Sequence, residues 1–522
     1  DFTEFIAYFT GDEKMFVITS KEMKELEKRT ITDFDISEEI LMERAGISVV
    51  QAIWNEYGEF SNKSFVIICG SGNNGGDGYV VARDLLNYTE AVRVISVGHP
   101  TTEVAKKNYE RYLKHGGIVY TYSELGLEGA SKIISEADIV VDALFGTGLN
   151  REINDEELTK LIEVMNLYSK CIVSVDIPSG VCADDGKIMG CAVQADLTVT
   201  FGLPKVGHFL FPGRELCGKL KIAKIGIPSL DMLTCDINKE LITTEKLRLP
   251  NRPRWSNKGT YSQVIIIGGS NKYIGAPVLS ALSALRSGAS MVKVVSVSKV
   301  CQCAMSHDPA LICVNIGEDF NVEKLEDFIA TVSKDVVFVV GPGWDTQNSE
   351  EKLSIIKKLL LTSNTLIIDA DGLNVLSQNI DLLREKNSSK SVILTPHPGE
   401  FSRLTKKSLE KVKQNYELVH EFSKEYGVIT VLKDATSIVS DGKKIYFNIT
   451  GNTSLSKAGS GDILSGLLAG LISQHLEPVE AVKTGVYVFG LAGEMVPVEG
   501  MNSAFSILNY IPEAFKRLRE SK

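Results

Sequence analysis

Ala458-Gly459-Ser460-Gly461-Asp462-Ile463-Leu464 sets a carboxylate just beyond a two-glycine turn. Gly459 and Gly461 let the backbone turn sharply and present bare N–H groups. The apolar residues 463–472, with small residues spaced among them, read as a buried helix starting there. Such a start attracts anions, because its first N–H groups lack intrahelical partners and the helix dipole is positive at that end. Asp462 is therefore expected to have a depressed pKa and to repel phosphate. That conflict makes chemical sense if the carboxylate takes a proton from a hydroxyl beside a phosphate. The plainer alternative is an acidic residue capping an ordinary helix.

A second chemical cluster lies far upstream. The β-rich run Ser64-Phe65-Val66-Ile67-Ile68-Cys69 leads into Gly70-Ser71-Gly72-Asn73-Asn74-Gly75-Gly76-Asp77-Gly78, and helical periodicity follows at Val80, Val81 and Leu85. Strand, glycine loop and helix form a Rossmann-type context, and Gly70, Gly72 and Gly75 fit the dinucleotide spacing. The amides and the carboxylate exceed what cradling a pyrophosphate needs. They suggest contacts to ribose hydroxyls or a cation, although Asn and Asp also simply favour turns. Two later runs, ending in Asp142-Ala143-Leu144-Phe145-Gly146-Thr147-Gly148 and Asp176-Ile177-Pro178-Ser179-Gly180, each put an aspartate at the carboxyl end of a strand. The alternative for both is capping of the segment that follows.

The elements that must carry these residues repeat one pattern. In the C-terminal half, short apolar runs end in Gly268-Gly269-Ser270, Gly341-Pro342-Gly343, Asp369-Ala370-Asp371-Gly372, Pro396-His397-Pro398-Gly399-Glu400 and Lys433-Asp434-Ala435-Thr436. Continuous apolar runs followed by Gly, Pro or Asp clusters and then helical periodicity predict parallel strands in an α/β sheet. Ligands of such sheets bind at the strands' carboxyl ends, where all these clusters fall. The 522 residues exceed one core and suit two α/β domains.

The net charge of −10 argues against nonspecific binding to nucleic acid or an anionic membrane surface. Nine cysteines without paired spacing, and no zinc or redox motif at Cys301-Gln302-Cys303, suggest a reducing cytoplasm. No apolar run reaches transmembrane length. Residues 1–14 lack the basic start of a signal peptide and are expected to lie outside the fold, with Met15 a natural start. The seven histidines show no metal-ligand spacing; His397, held between two prolines, is the one of interest.

Over roughly residues 240–520 the chain resembles the ribokinase-like superfamily, which shares the late Gly-Ser-Gly-Asp. More narrowly it resembles the carbohydrate-kinase-like domain of NAD(P)H-hydrate dehydratases. Residues 396–400, Asn448-Ile449-Thr450-Gly451-Asn452 and residues 459–462 match that family in order and spacing. Residues 15–228 resemble the NAD(P)H-hydrate epimerase domain through the three upstream segments. The fold implied is α/β in two domains, Rossmann-like then ribokinase-like, at 15–228 and 251–522 with a connector at 229–250.

The resemblance implies a bifunctional repair enzyme, isomerase and lyase, for hydrated NADH and NADPH. Asn73, Asn74, Gly75, Gly76 and Asp77, with Gly146, Thr147, Gly148, Leu149, Asn150, Arg151 and Glu152, would hold the hydrate in the first domain. Asp176 would be its catalytic carboxylate, and Asn74, Asp142 and Ser179 would bind K+, a cation suited to oxygen ligands. In the second domain Ala276, Gly343, His397 and Asp462 would contact the hydrate. Lys433, Asp434, Ala435, Thr436, Ser437 and Gly461 would contact ADP, favoured over ATP, with Mg2+ on the phosphates and Asp462 as base. A cytoplasmic homo-oligomer is expected.

One departure stands out: Trp344-Asp345 follow Gly343 where the family usually has Leu-Gly, and a tryptophan there could stack on a nicotinamide ring. Two alternatives differ in outcome. A vitamin-precursor kinase would release a product heavier by a phosphate, and an RNA-decapping scaffold would use the first domain only for binding and dimerisation.

Overall fold

The computed structural model describes residues 6–7, 15–233, 236–362 and 364–521. The chain forms two compact units, Asp1–Ile237 and Asn238–Lys522.

The first unit is built on an eight-stranded sheet in the order β1-β8-β7-β6-β5-β2-β3-β4. Its strands are β1 (Ile6–Ala7), β2 (Phe65–Cys69), β3 (Val92–Ser96), β4 (Ile118–Thr121), β5 (Ile139–Ala143), β6 (Ile172–Val175), β7 (Leu197–Phe201) and β8 (Lys219–Ala223). Every pairing is parallel. Apolar clusters lie on both sheet faces, so β2, β5 and β7 are buried along their whole length and read as continuous apolar runs. The chain runs outward from β2 through β3 to β4, then returns to the other side of β2 as β5. This reversal opens a crevice between the loops that leave β2 and β5.

The second unit has ten strands in the order β12-β11-β10-β13-β14-β15-β16-β17-β18-β9. They are β9 (Lys239–Leu241), β10 (Gln263–Ile267), β11 (Val292–Ser296), β12 (Ile312–Asn315), β13 (Val336–Val340), β14 (Thr365–Ile368), β15 (Val392–Leu394), β16 (Ile429–Leu432), β17 (Ser437–Ser440) and β18 (Ile445–Asn448). The strands from β12 to β16 pair in parallel, as the apolar runs predict. Beyond them β16, β17 and β18 form antiparallel hairpins, which the parallel pattern did not anticipate. The strand order reverses between β10 and β13, again opening a crevice at the carboxyl ends.

The expected 229–250 connector is divided. Ile237 packs with Ile18, Met23 and Leu26 of the first unit, whereas β9 pairs with β18 of the second. Of residues 1–14, only Ile6–Ala7 are described. They pair with β8, so this part of the segment joins the sheet instead of lying outside the fold. Among the described residues no helix is long and apolar enough to cross a membrane.

Candidate active sites

In the first unit the glycine segment is more helical than expected: the helix Asn73–Leu85 begins at Asn73, inside the motif. The glycines permit close packing. A Cβ on Gly70 would lie 2.0 Å from the Leu144 carbonyl oxygen, and one on Gly75 would lie 1.9 Å from that of Gly70. A Cβ on Gly78 would strike Ala143 Cβ and Cys69 Sγ, so the helix sits directly against β2 and β5. This brings Asn74 to the loop after β5, where its Oδ1 would be 3.0 Å from a Cβ on Gly146. Asn74 Nδ2 is buried without a hydrogen-bond partner among the described residues. Residues 146–152 form an open loop at this edge, with Gly148, Asn150, Arg151 and Glu152 exposed.

Asp142, at the end of β5, is fully buried. Its Oδ2 accepts from Ser174 Oγ and Ser179 N, both at 2.8 Å, and its Oδ1 from Ser179 Oγ at 2.5 Å and Leu144 N at 3.4 Å. Burial raises its pKa against these bonds. The Phe145 carbonyl oxygen lies 3.2 Å from Ser179 Oγ.

Asp176 follows β6 in the left-handed region, at φ 67°, a strained conformation for a residue with a Cβ. Its Oδ1 accepts from Lys205 Nζ at 2.6 Å and Thr200 Oγ1 at 2.8 Å. Burial pushes this carboxyl up, but Lys205 outweighs it and holds the pKa below the ordinary aspartate value. The Asp176 carbonyl meets His208 Nε2 at 2.9 Å, and His208 Nδ1 accepts from Lys205 N at 3.0 Å. The ring proton therefore sits on Nε2, and burial followed by Lys205 lowers the imidazole to about 4. Asp77 and Glu27 interact electrostatically with Asp176. Asp77 is raised well above its ordinary value, by burial first and Asp176 next, and burial carries Glu27 up to about 7. Glu27, Thr200, Lys205 and His208 escaped sequence reasoning. Only Lys205 left a trace, as a lone cation just after the apolar strand β7.

In the second unit the helix Ser460–Ile472 starts after Gly459 at φ 94°, and residues 463–472 are all buried, as expected. Its small residues serve contact with the helix Gly275–Arg286: a Cβ on Gly466 would lie 1.9 Å from the Ser280 carbonyl oxygen. Asp462 occupies the first turn. Its pKa is raised to about 7, opposite to expectation. Burial is the largest cause and the nearby Asp369 carboxylate the next; together they outweigh Lys433.

Asp369, after β14, is buried; its Oδ1 accepts from Lys433 Nζ at 2.9 Å and its Oδ2 has no partner among the described residues. Lys433, after β16, has Nζ 3.0 Å from where a Cβ on Gly461 would stand, which joins the 433–437 turn to the 459–462 turn. Burial lowers Lys433, but Asp369 and Glu400 outweigh it and raise its pKa. Asp434 and Ala435 are exposed, while Thr436 is buried. Glu400 is buried and raised by desolvation.

His397 is the N-cap of the helix Pro398–Thr405, its Nδ1 accepting from Gly399 N at 3.0 Å and Glu400 N at 3.4 Å. Structural duty occupies that nitrogen, and Nε2 lies 3.5 Å from the buried Glu400 Oε1. Burial and Lys433 lower its pKa. Ala276 and Gly343 adjoin, since a Cβ on Gly343 would lie 3.0 Å from Ala276 Cβ. The Asn448–Asn452 motif is structural at its start: Asn448 Nδ2 donates to the Thr450 and Val486 carbonyls.

Trp344 is not available to stack on a ligand. It is 2% exposed, meets Phe320 edge-on at 6.0 Å, and its carbonyl accepts from Lys352 Nζ at 2.6 Å. Lys352 also donates to Asp345 Oδ1 at 2.6 Å, so the Trp-Asp departure builds an interior ion pair behind the cleft. The exposed aromatic beside Gly343 is Tyr273.

Two α/β units, each gathering carboxylates and close-packed glycines at the carboxyl ends of parallel strands, define a two-domain α/β enzyme. A family described as NAD(P)H-hydrate dehydratase matches residues 264–512, and one described as YjeF-related protein N-terminus matches residues 38–207. The bifunctional NAD(P)H-hydrate repair enzyme Nnr of Thermofilum pendens is 36% identical, covering 97% of this chain and 97% of its own. That of Moorella thermoacetica is 34% identical, covering 97% and 98%. A solved ADP/ATP-dependent NAD(P)H-hydrate dehydratase from Bacillus subtilis, co-crystallised with ATP/Mg2+, gives a TM-score of 0.48 at 26% identity, over 53% of this chain and 98% of that one. The chain belongs to the bifunctional NAD(P)H-hydrate repair enzyme family.

Proposed function

We propose that the first unit interconverts the R and S forms of hydrated NADH and NADPH at C6. The second unit dehydrates the S form, with ADP giving AMP and phosphate. Hydroxide leaves poorly, so transfer of a phosphoryl group to the C6 hydroxyl prepares the exit. The ring nitrogen then expels phosphate, and loss of a C5 proton restores the double bond. Asp462 takes the hydroxyl proton. A carboxylate raised to about 7 suits a base working near neutrality, and this is the observation that carries the dehydratase reading. Lys433 to Ser437 and Gly461 hold the nucleotide phosphates, supported by the approach of Lys433 Nζ to Gly461. Ala276, Gly343 and His397 line the hydrate side.

In the first unit the 73–77 segment and the 146–152 loop hold the hydrate, and Asp176 Oδ2 faces it as the proton carrier. Asp142 is a buried carboxylate without an ion-pair partner among the described residues, with Ser179 Oγ and the Phe145 carbonyl beside it. This oxygen-rich, net negative setting fits K+ held by Asn74, Asp142 and Ser179, where the ion would supply charge balance next to the hydrate. No group of three acidic, histidine or cysteine ligands is assembled among the described residues. Mg2+ would arrive on the nucleotide phosphates, where it would neutralise their charge. Eight described cysteines are unpaired, which supports a reducing, cytoplasmic setting.

A vitamin-precursor kinase on the same fold would leave a stable phosphorylated product. Product mass with hydrated NADH separates the readings: a loss of water supports repair, a gain of phosphate overturns it.

A further inference from the structure

Lys205 is 0% exposed, yet no step proposed above uses it. Its ammonium directs all three protons at protein oxygens: Asp176 Oδ1 at 2.6 Å, Thr200 Oγ1 at 2.9 Å and the Phe201 carbonyl at 3.1 Å. None is left for a ligand, so Lys205 is not itself a proton donor to substrate. Its effect falls on Asp176. Thr200 Oγ1 also donates to Oδ1, which completes that edge of the carboxylate. The Asp176 backbone is fixed as well: its N–H donates to the Val199 carbonyl at 2.8 Å, and its carbonyl accepts from His208 Nε2. Oδ2 takes no hydrogen bond among the described residues. The carboxylate is thus clamped on one edge and open on the other.

We propose that Lys205 is the positioning residue of epimerisation, holding Asp176 ionised with Oδ2 alone presented to the hydrate. This rests on the reading of Asp176 as the epimerase carboxylate. The charges around it explain why a clamp is needed. Glu27 on the Ser20–Phe34 helix raises Asp77 on the Asn73–Leu85 helix, and Asp176 raises both, with Glu38 and Cys69 beyond them. Lys24 reaches only Glu27 in this group, and His208 is neutral above about 4. Lys205 is therefore the cation that Asp176, Asp77 and Glu27 share. Without it, burial would drive Asp176 toward its protonated form.

The test compares epimerisation by wild type and Lys205→Met in the full chain from acid to alkaline pH. Native protection of Cys217, a fully buried thiol of the same unit, from a thiol reagent reports folding. Lys205→Met should lose about tenfold or more at neutral pH and regain rate as pH rises, because a nearby cation lowers a carboxyl pKa by roughly one to three units. Dehydration of the S form should not change. A protected variant with an unshifted pH profile overturns the proposal. If Cys217 becomes reactive in Lys205→Met, Thr200→Val decides: a smaller upward shift supports the clamp and no shift refutes it. Asp176→Asn separates the two levels. Full epimerisation by a protected Asp176→Asn sinks the epimerase reading itself. An inactive Asp176→Asn beside an unshifted Lys205→Met sinks only the clamp.

Discussion

Asp369 Oδ1 lies 2.9 Å from Lys433 Nζ, and the other oxygen of that carboxylate is buried without a partner among the described residues. The two charges offset each other only in part, because Asp369 also faces Asp462 and raises it. Dehydration should therefore show an acid limb near pH about 7, falling as pH drops and Asp462 takes up a proton. Epimerisation should not share that limb, since Asp176 is held below the ordinary aspartate range. Asp369→Asn removes a charge that raises Asp462 and frees Lys433 to lower it, so the dehydration limb should move to lower pH. Rate profiles of both reactions on one preparation check the sign, and an upward shift contradicts it.

Asp462→Asn keeps the shape of the helix start and loses the base. Dehydration should fall by roughly two to four orders of magnitude while epimerisation persists, because the second carboxylate lies in another unit. A rate within a few-fold of wild type, roughly, shows that the base is misassigned.

Asp176→Asn should repair the S fraction of a mixture quickly and then wait on spontaneous conversion of the R fraction. It also strands Lys205, a buried cation, so the first unit should lose about 3–5 kcal/mol of stability. Lys205→Met added to Asp176→Asn should recover part of that stability without recovering epimerisation. Thermal unfolding alongside R-epimer turnover measures both; a double variant less stable than Asp176→Asn alone contradicts the buried pair.

Gly75→Ala would place a methyl 1.9 Å from the Gly70 carbonyl oxygen, a backbone atom that cannot swing aside. Overpacking of this kind costs about 1–3 kcal/mol, and the shift should push the Asn73–Leu85 helix off the crevice. Epimerisation should drop with the melting temperature of the first unit, while S-form dehydration holds. An alanine variant with wild-type stability argues against the close approach.

The parallel strands were legible because burial on both faces writes continuous apolar runs, and Gly, Pro and Asp mark where each ends. Asp142, Asp176 and Asp462 stood out for a related reason: each sets a carboxylate against an apolar run, at the sheet edge where ligands of this fold class bind. Their pKa values were not legible. Asp462 rises because Asp369, distant in sequence, is brought beside it, and local helix-start logic gave the opposite sign. Asp176 is held down by Lys205, which reaches it across β7 and looks like any surface lysine in the chain. Trp344 read as a cleft aromatic, yet Phe320 and Lys352 fold it inward. β17 and β18 were missed because they form an antiparallel hairpin about Asp441-Gly442 with no helical crossover between them, and β9 because it is a three-residue strand inside the expected connector.

The central claim is tested most directly by mixing this protein with hydrated NADH of both epimers and ADP, and following the absorbance of reduced nicotinamide. Complete recovery with AMP and phosphate formed in step with it, and none without a nucleotide, is the result predicted. No return of reduced nicotinamide, or a stable phosphorylated hydrate in its place, would contradict the account.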